Sequence, residues 1–84
     1  MKNYKIKVNN EAESREAQEL FFELGYKNAF IPSKIGNPFL LFAKSDGFIT
    51  WHDDVRFFEK RNFEEITLPQ LRDLVVLKRN KIED

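Results

Sequence analysis

At 84 residues the chain can fold as one domain around one hydrophobic core, without a second lobe. Fourteen Lys and Arg balance fourteen Asp and Glu, which argues against the basic excess of a nucleic-acid-binding protein and the acidic excess of a DNA mimic. Because the chain contains no cysteine, disulfides, thiolate nucleophiles and cysteine-ligated zinc are excluded.

The first predicted element is a half-buried strand in "YKIKV", residues 4–8. Tyr4, Ile6 and Val8 share one face, and Lys5 and Lys7 share the other, which we expect to face solvent. The opening segment lacks the apolar stretch of a signal peptide, and no apolar run in the chain is long enough to span a bilayer. We therefore expect a cytoplasmic protein with no membrane partner.

Residues 9–26 predict an amphipathic helix with defined ends. Asn9 or Asn10 can cap its start, and Gly25 can end it in a Schellman motif that packs Tyr26 on Phe21. The apolar stripe has helical spacing and consists of Ala17, Leu20, Phe21 and Leu24. Five glutamates against one arginine give this segment a charge of −4, which suits either a solvated face or a basic partner.

The middle of the chain predicts a short edge strand and then a β-hairpin. Residues 27–38 contain two prolines and a glycine, so any strand there is short and at an edge of the sheet. Residues 39–54 place two β-prone runs around an Asp46–Gly47 turn. A two-residue loop pairs Phe42 with Trp51, and it puts one apolar set on a single face, namely Phe39, Leu41, Ala43, Phe48 and Thr50.

The last third predicts a helical turn, a short strand and a longer helix. Asp54 can cap the turn, and "FEEI" is the strand. Thr67 and Gln70 have the spacing of a capping box, and Ile66 can pack on Leu71 as a hydrophobic staple. The buried face of this helix is Leu68, Leu71, Leu74, Val75 and Ile82. Three cations lie near its C-terminus, where the negative end of the helix dipole stabilises positive charge, namely Lys78, Arg79 and Lys81.

Together these elements predict the fold class. We expect one α+β domain over residues 1–84, in the order β-α-β-β-β-α. Its sheet is expected to be antiparallel and packed with two helices.

The chemistry-bearing residues are few. The only histidine, His52, precedes Asp53 and Asp54, and these three residues are the candidates for a metal or acid-base site. Strand alternation sends His52 and Asp53 to opposite faces, which favours a polar strand end that leads into a helix cap. No serine lies in a strained G-x-S-x-G elbow. We therefore expect no catalytic residue, no metal, no cofactor and no enzymatic activity.

Three segments carry a resemblance to a known group of proteins. "EAQELFFELGY", "PFLLFAKSDGFITW" and "FEEITLPQLRDLV" together resemble small orphan accessory proteins of tailed bacteriophages and prophages. The resemblance implies a phage origin and a host-takeover or antidefence role in the cytoplasm of the host cell. It carries over no catalytic residue, because every matched position has a structural explanation.

Two functional classes follow. The favoured one is a non-enzymatic protein that binds a host bacterial protein or a second copy of itself. Capture of a small ligand or nucleotide is the alternative, and a small metal-dependent enzyme is the weaker one. Phe22 lies outside the apolar stripe of its helix and near the loop of residues 30–38. The residues expected to form a partner surface are Phe22, Phe30, Ile35, Phe39 and Phe48, while Trp51 is assigned to core packing.

Overall fold

The computed structural model describes residues 1–28 and 30–83, with side chains described as far as residue 80. It confirms an α+β domain that contains eight elements in these described residues. In chain order they are β1 (Tyr4–Val8), α1 (Glu11–Glu23), β2 (Lys27–Asn28), β3 (Phe39–Ala43), β4 (Phe48–His52), α2 (Val55–Lys60), β5 (Glu64–Glu65) and α3 (Leu68–Glu83). The helical turn expected after Asp54 is a six-residue helix, α2. The described residues thus form three helices, one more than the two expected.

The sheet is mixed, which corrects the antiparallel expectation. Its strand order is β2-β4-β3-β1-β5. The three long strands pair antiparallel, whereas the two-residue strands β2 and β5 lie at the edges and run parallel to β4 and β1. The physical reason is that β2 and β5 each follow a helix, which carries the chain back before the next strand begins.

The sheet has a helix layer on each side. The main core lies between the sheet and the pair α1 and α3, and its largest buried side chains include Phe21, Phe39 and Leu71. A smaller core lies on the other side, where Phe58 of α2 covers Leu40 and Phe42. The sequence predicted that the face of β1 that carries Lys5 and Lys7 would be open to solvent. Helix α2 covers part of that face, so the prediction is wrong for Lys5.

Lys5 is buried on the α2 side of the sheet, with only 6% of its surface exposed. Its ammonium group donates hydrogen bonds to the backbone carbonyls of Phe58 and Arg61, the latter at 3.0 Å. These carbonyls belong to the end of α2, where unpaired acceptors collect and a positive charge is stabilised. Lys7, by contrast, is exposed as expected.

The ends of α1 form as the sequence predicts. The Asn10 side chain accepts a hydrogen bond from the backbone N–H of Glu13 at 2.9 Å. At the other end, the N–H groups of Gly25 and Tyr26 donate to the carbonyls of Phe22 and Phe21, both at 3.0 Å, as a Schellman motif requires. Gly25 has φ +103°, and the rings of Phe21 and Tyr26 meet edge to face at 5.5 Å.

The β3–β4 hairpin forms at the predicted place in a different register. Phe42 pairs with Thr50 and Leu41 with Trp51, because the loop has three residues, 45–47, rather than two. The N–H of Gly47 donates to the carbonyl of Lys44 at 2.9 Å, and Gly47 has φ +95°. A type I turn closed by a glycine bulge has this geometry.

The longer loop moves every β4 side chain to the opposite face from the one predicted. Ile49 and Trp51 therefore share a face with Leu41, whereas Phe48 and Thr50 lie on the α2 side with Phe42. The predicted apolar set that joined Phe39 to Phe48 is wrong for this reason.

The start of α3 confirms the capping box. The Thr67 N–H donates to Gln70 Oε1 at 2.9 Å, and the Gln70 N–H donates to Thr67 Oγ1 at 3.3 Å. Ile66 and Leu71 are both buried in the main core, as a staple requires. Ile82 and Lys81, which the sequence assigns to the buried face and the cationic end of this helix, lie outside the residues whose side chains are described.

Candidate functional site

The structure separates the five residues expected to form a partner surface. Phe22, Phe30 and Phe48 are 42%, 88% and 45% exposed, so all three are available to a partner. Ile35 is half-buried and packs against the main core. Phe39 is only 2% exposed and belongs to that core, which corrects its assignment to the surface.

The three exposed phenylalanines lie around one edge of the sheet, with Phe22 on the α1 side and Phe48 on the α2 side. Phe48 pairs with Lys27 in β2, the strand at that edge, and Phe30 follows β2 by two residues. Gln18 of α1 accepts a hydrogen bond from the Asn28 side chain at 3.2 Å, so this flank of α1 lies against β2. Phe22 is one turn further along the same flank. We call Phe22, Phe30 and Phe48 the aromatic edge.

A cavity of about 280 Å³ lies between the 30–38 loop, the start of β3 and the end of β4. Its walls come from the loop and from the two strands, and they consist of Pro32, Lys34, Ile35, Gly36, Asn37, Pro38, Phe39, Trp51 and Asp53. Two of the predicted surface residues, Ile35 and Phe39, thus meet in this cavity. The sequence analysis named Asp53 as a candidate for a metal or acid-base site and assigned Trp51 to core packing, and it predicted no cavity that joins them to Ile35.

The loop that roofs the cavity is attached by apolar contacts. Ile31 and Ile35 pack against the main core. Within the described part of the chain, no hydrogen bond joins residues 30–38 to the rest of the protein. The shape of the cavity therefore depends on these two side chains.

The His52 candidate has a structural role. Its Nδ1 accepts a hydrogen bond from the backbone N–H of Asp54 at 3.1 Å, and its ring stacks on Phe57 with a centroid distance of 4.2 Å. Asp53 lies 3.8 Å from the same nitrogen, while Asp54 caps α2 by accepting from the Arg56 N–H. Among the described residues, no three His, Cys, Asp or Glu side chains are grouped as a metal site requires.

The acidic face of α1 has partners within the protein. Arg72 of α3 forms an ion pair with Glu16, and Arg79 forms one with Glu23. The second pair lies seven residues, or two helical turns, beyond the first on both helices. The hydrogen bond from Arg72 lowers the pKa of the Glu16 carboxyl below its ordinary value. Lys78 donates to the backbone carbonyl of Glu23 at 2.6 Å, so the basic end of α3 stabilises the end of α1.

Arg61, just after α2, is another residue that the sequence did not single out. Its guanidinium lies 5.1 Å from the centroid of Phe57 and 4.9 Å from that of Phe63. Its Nε is buried and has no hydrogen-bond acceptor in the part of the chain that the structure describes. Cation–π contacts of this kind stabilise the small core on the α2 side.

The chain matches no protein-family model, no curated protein and no solved structure. Within residues 1–28 and 30–83, none of the helices combines the length and the apolar character that crossing a bilayer requires. The aromatic edge and the cavity are therefore the candidate functional features of the described residues.

Proposed function

We propose that this protein is a non-enzymatic binding protein that acts by occupying another protein. The observation that supports the proposal best is the aromatic edge, where three phenylalanines on different elements are exposed around one strand. Aromatic side chains are enriched at protein interfaces. Complete burial of a fully exposed phenylalanine is worth roughly 1.5 to 3 kcal/mol, and Phe30, at 88% exposed, is the nearest of the three to that starting state.

The class of partner follows from the resemblance to phage accessory proteins. A protein of that kind acts inside an infected bacterium, so we propose a host bacterial protein as the partner and host takeover or antidefence as the role. Attachment at a sheet edge suits such a role, because the partner can be occupied without any chemical step.

The proposal is tested by capture from bacterial lysates with two matched double variants. Phe22→Ser with Phe30→Ser removes two members of the aromatic edge. Val76→Ser with Leu77→Ser removes two side chains of α3 that are 49% and 58% exposed and belong to an element other than those that carry the aromatic edge. We expect the wild type and the α3 variant to capture the same host protein, and the edge variant to lose it.

Thermal melting of each variant checks that the fold is retained, and sedimentation measures self-association. Equal capture by both variants would contradict the proposal. If the wild type and the α3 variant form dimers and the edge variant does not, the surface binds a second copy of the chain instead of a host protein.

A further inference from the structure

The cavity beside the 30–38 loop has features of a small-molecule site. At about 280 Å³ it lies just below the range of roughly 300 to 1,000 Å³ that is typical of drug-sized ligands. Like other ligand sites, it combines apolar walls with a few polar groups. A cavity of this size and lining suits a small polar molecule with an apolar part.

One wall of the cavity is an aromatic platform. Trp51 stacks on Phe39 with a centroid distance of 5.3 Å and an angle of 17° between the rings. Phe39 is buried, so it fixes the indole in place, while Trp51 itself is 40% exposed. A platform of this kind favours a planar group of the ligand, because aromatic pairs stack in offset geometry.

The cavity also holds one positive and one negative side chain that do not pair with each other. Lys34 and Asp53 both line it, and among the described residues Lys34 forms no ion pair. Within residues 1–28 and 30–80, His52 is the one basic side chain within ion-pair distance of Asp53, and its Nδ1 already accepts a hydrogen bond from a backbone N–H. Each charge is thus available to a ligand.

We propose that this cavity binds a free α-amino acid with a planar side chain. The ligand carboxylate pairs with the Lys34 ammonium, the ligand ammonium pairs with the Asp53 carboxylate, and the side chain stacks on Trp51. A zwitterion matches the two opposite charges, whereas a nucleotide phosphate would meet one cation and also the repulsion of Asp53. This inference does not depend on the proposed protein partner, since it concerns the purified protein and a small molecule.

Trp51 is the only tryptophan in the chain, so its fluorescence reports on the site directly. We expect L-phenylalanine to change the emission in a saturable way. Phenethylamine, which lacks the carboxylate, and 3-phenylpropionate, which lacks the ammonium, are each expected to bind at least about tenfold more weakly, because each loses one charge-assisted hydrogen bond.

Two variants identify which charge recognises which end of the ligand. Lys34→Met should weaken L-phenylalanine and leave phenethylamine unchanged, and Asp53→Asn should weaken L-phenylalanine and leave 3-phenylpropionate unchanged. The control variants are Lys60→Met and Glu59→Gln on exposed positions of α2, which should bind as the wild type does.

Urea unfolding of every variant verifies that the domain is folded, and calorimetry repeats the titration without relying on Trp51. The proposal is overturned if L-phenylalanine gives no saturable signal by either method, or if neither charge variant changes its affinity. Saturable binding of AMP without binding of L-phenylalanine also overturns it, and would assign the cavity to a nucleotide.

Discussion

At the scale of single residues, Lys5 shows how a charge becomes part of a core. Its ammonium lies 4.6 Å from the centroid of the Phe58 ring and donates to two carbonyls at the end of α2. A buried ammonium group is costly unless its protons find acceptors. Here the free carbonyls of a helix end supply them, so one side chain joins β1 to α2.

Replacing Lys5 by methionine should destabilise the fold by about 1.5 to 3 kcal/mol, the range for hydrogen bonds that involve a charged group. Methionine keeps most of the apolar chain, so the loss reports on the two hydrogen bonds. Lys7→Met is the matched control on the same strand and should cost no more than about 1 kcal/mol, because Lys7 is exposed and its ammonium makes a cation–π contact 5.3 Å from the Phe58 centroid. Equal urea midpoints for the two variants would show that the Lys5 hydrogen bonds contribute nothing.

At the scale of elements, the hairpin loop decides which face each β4 residue occupies. The Asp46 carboxylate accepts a hydrogen bond from the Phe48 N–H at 3.0 Å, which lowers the pKa of that carboxyl and orders the turn. Gly47 then adopts a positive φ that closes a three-residue loop. The backbone conformation at Gly47 is therefore linked to the burial of Ile49 in the main core.

Gly47→Ala should destabilise the protein by about 1 to 2 kcal/mol, because an alanine is strained at a φ of +95°. The strain comes from the backbone alone, since the nearest atom to an added Cβ is Met1 Sδ at an ordinary 3.6 Å. Gly36→Ala is the control: a Cβ there meets nothing within 4 Å, so the variant should be neutral or gain up to about 1 kcal/mol. Chemical denaturation measures both, and the absence of a difference would argue against the described turn.

The pairing of α1 with α3 predicts a dependence of stability on pH. The pKa of Glu16 is lowered in the folded state by Arg72, so the pair stabilises the fold at pH values above the ordinary Glu pKa. That contribution is lost as the pH falls through the lowered folded pKa. The effect should be small, because both side chains are largely exposed and salt screens them.

Glu16→Gln should therefore lower the urea midpoint near neutral pH and match the wild type in acid. Glu19→Gln removes an exposed carboxylate from the interior of the same helix, where it has no ion pair among the described residues, and it should show no such change. If the wild type and Glu16→Gln differ by the same amount at both pH values, the pair does not titrate as described.

At the scale of the whole molecule, the domain is stabilised by two apolar layers of unequal size. The main core uses residues from α1, α3 and the sheet, and the small core uses α2 and Phe63. Four phenylalanines meet in the small core, with Phe42 within 5.7 Å of the ring centroids of the other three, Phe57, Phe58 and Phe63. Aromatic packing of this kind can supply the cohesion that a small domain needs.

Chelator treatment should accordingly leave the melting temperature unchanged. The described residues contain no group of three side chains suited to a metal, and His52 is engaged by a backbone N–H and by Phe57. A melting temperature that drops with EDTA and is restored by one metal ion would contradict this prediction and return His52 to the candidates for a ligand.

The sequence alone determined the features whose hydrogen-bonding groups lie within a few residues of each other. The Asn10 cap, the Schellman end at Gly25 and the capping box of Thr67 each depend on hydrogen bonds over three to five positions, and all three formed as predicted. The apolar faces of β1 and α1 were also readable, since side-chain direction in a strand or helix repeats at a fixed period.

The tertiary structure decided the features that join distant parts of the chain. Lys5 donates to carbonyls 53 and 56 residues away, and Glu16 pairs with Arg72 at a separation of 56 residues. No local pattern could therefore show that α2 would cover Lys5 or that Arg72 would pair with Glu16. The packing of α1 and α3 on the sheet decided that Phe39 is buried, whereas the three-residue hairpin loop decided that Trp51 shares its face. The cavity exists because a loop without regular structure packs two isoleucines against a core formed by other elements, and such packing depends on the assembled fold rather than on the sequence of the loop.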